Sequence, residues 1–312
     1  MRKTAIVTGL LLLLVVVPVI VNQLWPAEGR SLTGTELSDT EYEEIVFRNT
    51  AQGIDLAGLL FVPEGEGPFP AAVVIHGSGT SRRANRWYLT LVQHLKENGI
   101  AVLLPDKRGS EQSGGDWRSA DFEDLATDTI AATEFMQAQD KVPVAGVGII
   151  GMSQGGWIAP LVADRVDVAF VVSLVGSAVT PNEQLLFEED HNLRQMGFLP
   201  GISYVIALMS TTYIKEVAQT DFWDAVGDFD ALPYWQRLDV SALVLLGRDD
   251  TNVPSEESAR RLEALGNERI RITIFDGSGH ALESPPGQGD SIIRAEALDA
   301  VSGFIREEGS GQ

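Results

Sequence analysis

Ser153 stands in Gly151-Met152-Ser153-Gln154-Gly155, directly after the apolar run Val147-Gly148-Ile149-Ile150. Small residues on both sides permit a sharp strand-to-helix turn that lifts a hydroxyl clear of the backbone, and Gly156-Trp157-Ile158-Ala159 reads as the opening of a helix. A serine hydroxyl is a weak nucleophile, so it needs a base to take its proton and an acid to orient that base. The base candidate is His280, where the strand-like run Ile270, Ile272, Ile274 ends in the glycine-rich loop Asp276-Gly277-Ser278-Gly279. The acid candidate is Asp250, just beyond the apolar run Leu243-Val244-Leu245-Leu246. Acyl transfer also needs donors for a developing oxyanion. The amides of Ser78, in His76-Gly77-Ser78-Gly79 after the strand Ala71–Ile75, and of Gln154 are the candidates.

Taken together, His76-Gly77-Ser78-Gly79, Pro105-Asp106-Lys107-Arg108-Gly109, Gly151-Met152-Ser153-Gln154-Gly155-Gly156, Gly247-Arg248-Asp249-Asp250-Thr251-Asn252-Val253-Pro254 and Gly279-His280 make the chain resemble the α/β-hydrolases. The resemblance is to the esterase and prolyl-oligopeptidase-like serine hydrolases, and it spans about residues 42–305. It implies the chain order Ser, Asp, His. The superfamily spacing between the glycine and Val-Pro selects Asp250 over Asp249 as the acid. Asp276 and Glu283 are then turn and surface groups. His94, in a helical run, and His191, in a charged stretch, read as structural, and His76 as a residue that fixes its loop. Asp106 and Arg108 follow the strand Ile100–Leu104, where loops line a ligand crevice, but an internal ion pair is the expected use.

Other chemistries find no support. Gly146-Val147-Gly148-Ile149-Ile150-Gly151 matches a dinucleotide fingerprint, yet its glycines lie within a strand instead of between strand and helix. With no cysteine and four scattered histidines, a metal site lacks ligands at usable spacing. No cofactor is expected. The 44 acidic residues against 23 basic ones, a formal charge of -21, repel nucleic-acid phosphate and disfavour anionic substrates at long range.

The elements that position these residues follow from periodicity. From Ala71 onward apolar strands alternate with helical segments, which predicts a mostly parallel central sheet flanked by helices, an α/β class fold. Helices are predicted over 86–98, 121–139, 154–164, 255–265 and 290–306. Two strands, 44–49 and 54–62, join through a hairpin turn at Gln52-Gly53. Residues 177–236 break the alternation and read as a helical cap over the site, with Phe187, Phe198, Tyr204, Met209, Tyr213, Phe222, Trp223 and Trp235 either lining an acyl pocket or packing the cap onto the core. At the N-terminus, Arg2 and Lys3 precede an apolar run over about 5–24, long enough to span a bilayer. Residues 1–27 are therefore expected to be a signal anchor or a cleaved signal peptide, with 28–40 as a tether, so that the domain over 41–308 lies outside the cytoplasm.

The expected activity is hydrolysis of a small-molecule carboxylic ester through an acyl-enzyme. An aminopeptidase or dipeptidyl-peptidase is the alternative, with Glu188-Glu189-Asp190 the place to look for a pair of acids that binds a free amine. A membrane-tethered module that kept the fold and lost its chemistry is a third reading.

Overall fold

The computed structural model describes residues 30–309, so the apolar run over 5–24 and the anchor or signal peptide expected there lie outside the described residues. No helix among the described residues is long and apolar enough to cross a membrane. Eight strands form one sheet: β1 (Glu43–Asn49), β2 (Ile54–Phe61), β3 (Phe69–Ile75), β4 (Ala101–Pro105), β5 (Val144–Met152), β6 (Val171–Leu174), β7 (Ala242–Gly247) and β8 (Ile270–Phe275). Their order is β1-β2-β4-β3-β5-β6-β7-β8. β1, β2 and β4 pair antiparallel, and every pairing from β4 through β8 is parallel. This is the mostly parallel sheet that the alternation predicts, with the expected hairpin between β1 and β2.

Alternation along the strands assigns the two faces. Ala71, Val73 and Ile75 point to one apolar layer with α2 (Phe122–Ala138), α3 (Gly155–Ala163) and α8 (Ser255–Glu263). Ala72 and Val74 point to the other, with α1 (Arg86–Glu97) and α9 (Ala295–Glu308). Burial on both faces explains why these strands read as continuous apolar runs. α1 is capped by Asn85, which accepts from the Trp87 amide, and α2 by a reciprocal Asp121 and Asp124 box.

Between β6 and β7 the chain forms α4 (Pro181–Gln195), α5 (Ile202–Tyr213), a turn of wider π geometry (Ile214–Ala218), α6 (Thr220–Val226) and α7 (Leu232–Arg237). Trp235 and Phe222 pack into the core layer below. Asp190, buried on α4, accepts from Ser203 Oγ on α5 at 2.5 Å, which joins these two helices. The opposite side of α5 leaves Tyr204, Val205, Leu208, Met209 and Tyr213 exposed.

Two segments differ from expectation. The last helix begins at Ala295 and not near Asp290, because Gly287 and Gly289 adopt positive φ and the Ser284 amide donates to Ser291 O, which folds 284–293 into a loop. The segment expected to be a tether is, from Arg30 onward, held to the body. Thr33 bridges to Ser291, Arg30 pairs with Asp290, and the Thr35 amide donates to Thr90 Oγ1. Its polar composition reads as linker, but those same groups have partners on the loop and on α1. At the other edge of the sheet an exposed turn over 64–67 feeds β3.

Candidate active site

Four chain segments leave the C-terminal ends of β3, β5, β7 and β8 and converge. At the end of β5, Ser153 adopts φ +53°, in the left-handed region that non-glycine residues avoid. The turn is possible because of its glycines: a Cβ on Gly151 would stand 2.2 Å from Gly155 O, and one on Gly155 would stand 2.5 Å from Ile75 O. The Ser153 amide donates to Leu174 O at 2.9 Å, tying the turn to β6.

Ser153 Oγ is 3.0 Å from His280 Nε2, and His280 Nδ1 is 2.8 Å from Asp250 Oδ2. The carboxylate fixes the tautomer, since Nδ1 must donate to it, which leaves Nε2 as the acceptor facing Ser153. Asp250 has a fully buried side chain. Its second oxygen accepts from the amides of Asn252, at 2.8 Å, and Val253, at 3.0 Å. Thus the three residues singled out in the sequence form one hydrogen-bonded line. Asp249 is exposed and Asp276 pairs with Arg248 at the surface. Glu283 is half-buried, its Oε1 facing Gly279 on the histidine loop.

The amides of Ser78 and Gln154 donate to no backbone or side-chain acceptor among the described residues. The neighbouring Gly77 amide is taken, because it donates to the Tyr88 hydroxyl at 2.8 Å. Ser78, Gln154, Lys107, Trp117, Val217 and Phe222 line a cavity of about 710 Å³, the last two coming from the segment between β6 and β7.

Sequence reasoning passed over Lys107. It is buried in the wall of this cavity, with Nζ donating to Gly77 O at 2.8 Å and to Gln154 Oε1 at 2.7 Å, and burial pushes its ammonium down to about 7. Its signal in the sequence was a lysine two residues after a strand that ends at the same edge as the serine. Its neighbours do not pair with each other. Asp106 takes a bidentate contact from Arg83, whereas Arg108 reaches Asp128. Trp87 was also missed, and its Nε1 donates to Ala281 O at 3.0 Å, beside His280.

The remaining histidines lie elsewhere. His76 donates through Nε2 to Pro105 O at 2.7 Å, and burial pushes its imidazole down to about 4. His94 meets Ser302, and His191 Nδ1 contacts Phe187 O. The three acids of α4 do not converge. Asp190 is held by Ser203 and Arg194, and Ser210 Oγ donates weakly to Glu189. Only Glu188 stands near the triad loops, its carboxyl raised by burial and lowered in part by His280. The aromatic residues divide likewise. Phe198 is buried, Tyr204, Met209 and Tyr213 are exposed, and Phe187 borders a groove behind Asp250.

Comparison with known proteins comes from sequence and from structure. The family model described as BAAT / acyl-CoA thioester hydrolase C terminal matches residues 130–288, and that of X-Pro dipeptidyl-peptidase (S15 family) matches 52–189. The chain is 23% identical over 251 residues to esterase EstD of Thermotoga maritima, covering 76% of this chain and 60% of that protein. It is 25% identical over 238 residues to acyl-coenzyme A thioesterase 3 of Mus musculus, covering 72% of this chain and 50% of that protein. The chain thus spans only about half to 60% of the length of these relatives. Among solved structures, the Pyrococcus furiosus esterase Pf2001 superimposes with a TM-score of 0.64 at 18% identity, over 90% of this chain and 97% of that one. Est1E of Butyrivibrio proteoclasticus, with ferulic acid bound, gives 0.57 at 18%, over 84% and 96%. At such identity these two likenesses establish the fold, which is that of an α/β-hydrolase.

Proposed function

Because the chain belongs to the BAAT / acyl-CoA thioester hydrolase C-terminal family, whose model matches residues 130–288, we propose that it is a serine hydrolase that cleaves carboxylic esters through an acyl-enzyme on Ser153. The observation that carries this reading is the continuous line from Ser153 Oγ through His280 to Asp250, with the serine held at a positive φ on a turn built from glycines. In the proposed cycle His280 Nε2 takes the Ser153 proton as Oγ adds to the ester carbonyl. Asp250 holds the imidazole and stabilises its charge. The carbonyl oxygen, now an oxyanion, accepts from the Ser78 and Gln154 amides. His280 then returns the proton to the leaving alkoxide, and water repeats the sequence to release the acid.

The segment between β6 and β7 serves in this reading as a cap whose Val217 and Phe222 bound the acyl side of the cavity. The peptidase reading has one observation in its favour, the match of residues 52–189 to the S15 family. Against it, Asp190 is held by Ser203 and Glu189 accepts from Ser210, so the three acids of α4 do not form a shared amine site. Export and membrane attachment through residues 5–24 belong to the same proposal and are tested by fractionating cells that express the full chain.

The deciding experiment is a panel of p-nitrophenyl esters and aminoacyl p-nitroanilides on the full chain and on Ser153→Ala. Ester turnover that depends on Ser153 supports the proposal, and turnover confined to the anilides favours the peptidase. Absence of both, together with no labelling by a fluorophosphonate, would mark a non-catalytic module.

A further inference from the structure

We infer that Lys107 is a positioning residue for oxyanion stabilisation, an inference that rests on the reading of Ser78 and Gln154 as the two oxyanion donors. Its Nζ donates to Gly77 O at 2.8 Å and to Gln154 Oε1 at 2.7 Å. The first of these bonds acts directly on a donor. Gly77 C=O and Ser78 N–H belong to one planar trans peptide and point in opposite directions. A donor that holds the carbonyl on one side therefore aims the N–H to the other side, away from the Lys107 ammonium, at a residue that itself borders the cavity. Polarising the carbonyl also makes the same N–H a stronger donor.

The peptide is pinned on both flanks. The Gly77 amide donates to the Tyr88 hydroxyl, so the residue before Ser78 has its N–H and its C=O fixed by two different side chains. The second bond of Lys107 ties the Gln154 side chain to the same ammonium, and the Gln154 amide has no acceptor among the described residues. Lys107 is itself anchored, since its amide donates to Ser81 Oγ at 3.0 Å and its side chain is buried. One cation thus crosses between the loop after β3 and the turn after β5, the two segments that carry the two donors.

Lysine suits this place chemically. Its amine offers two N–H groups when neutral and three when charged, so both bonds survive its titration. It also presents no lone pair to a developing oxyanion while charged. Methionine matches the length of the stem and has no donor.

The test compares the full chain with Lys107→Met, measuring kcat and KM on a p-nitrophenyl ester. Affinity is measured for an octyl trifluoromethyl ketone and for its carbinol. The ketone accepts Ser153 Oγ at its carbonyl carbon, the carbonyl electron pair becomes the oxyanion and the hydroxyl proton passes to His280; the carbinol forms no oxyanion. Loss of one such donor outright costs about 10²- to 10³-fold in kcat, and a misaimed donor costs less, so a fall in kcat of about 10- to 100-fold is expected. KM should stay within about twofold, ketone affinity should fall in step with kcat, and carbinol affinity should hold, a pattern that loss of packing alone does not give.

Should Lys107→Met not fold, Lys107→Gln, which keeps polarity but is too short to hold both acceptors, takes its place with the same expected pattern at smaller size. Unchanged kcat in a folded variant, or equal losses for ketone and carbinol, overturns the inference. If the wild-type chain itself turns over no ester and binds the ketone no better than the carbinol, the hydrolase reading falls and takes this inference with it. If the wild type does both and the variant matches it, only the role of Lys107 falls.

Discussion

The Trp87 indole N–H donates to the carbonyl of Ala281 at 3.0 Å, so the first turn of α1 holds the residue that follows His280. The two rings, Trp87 and His280, lie 5.9 Å apart. Trp87→Phe keeps the aromatic neighbour and deletes the bond. Small displacements of a reacting group are costly, so kcat on an ester should fall by about tenfold. Stability should fall by about 1 kcal/mol, the usual worth of one such bond. Steady-state kinetics and denaturant titration of the variant check both.

Asp250 and Asp249 are adjacent in the chain and opposite in setting, one fully buried against His280 and the other exposed. Asp250→Asn should lower kcat by about 10⁴-fold, because an amide at that site favours the wrong imidazole tautomer. Asp249→Asn should stay within about twofold. A reversed ranking would reassign the acid.

At Ser153 the positive φ carries a steric cost for any residue with a Cβ. Ser153→Ala and Ser153→Gly should both abolish turnover, yet the glycine variant should be the more stable by up to about 1 kcal/mol. Paired thermal melts read the difference, and equal stability would show that the turn is unstrained.

His76 offers a test by pH. Burial lowers its pKa from 6.5 in the unfolded chain to about 4 in the fold. Between those values the unfolded chain binds more protons, so stability rises with pH across that window and is lost as pH falls from 6.5 to 4. Its neighbours Lys107 and Asp106 act on it in opposite senses. In His76→Gln the slope of unfolding free energy against pH between 4 and 6.5 should be shallower than in the wild type, as measured by urea titrations at several pH values.

Substrate choice should follow the cavity wall and not the outer side of the cap. Phe222 lines the cavity beside Gln154, while Tyr213 is 60% exposed. Phe222→Ala should move the preferred acyl chain to greater length, with discrimination changing by about 1 to 3 kcal/mol per methylene-scale change. Tyr213→Ala should leave the profile where it is. The measurement is kcat/KM over a series of p-nitrophenyl esters from acetate to decanoate.

The buried strands were legible because a strand covered on both faces is apolar at every position, and β3, β5 and β7 satisfy that rule. Ser153 and Asp250 were legible because each follows such a strand and sits among turn residues, and His280 because it follows the alternating strand β8 in a glycine-rich loop. The oxyanion candidates followed from the same edge rule. What stayed hidden depends on long-range partners. Lys107 was visible as a residue in a motif, but its two acceptors lie on other segments, and no local pattern predicts a lysine turned inward. Trp87 looked like any apolar residue on a helix until its partner 194 residues later was in place. The segment over 30–40 has linker composition, and only its partners on the loop at 284–292 and on α1 explain why it is docked. Along α5 the apolar residues read as pocket walls or as packing between cap and core. The structure instead turns Tyr204, Met209 and Tyr213 outward, because Asp190 holds Ser203 on the opposite side of the helix.

The exposed turn over 64–67 enters β3 at the N-terminal edge of the sheet, whereas every group of the candidate site hangs from the C-terminal edge. A strand's length of buried backbone therefore separates the turn from the chemistry. That makes it the natural joint at which to splice in a reporter domain with turnover preserved. A foreign domain grafted into the loop at 284–292 has no such insulation, since that loop bonds the N-terminal segment and its Pro285 packs beside Gly277 on the loop that carries His280.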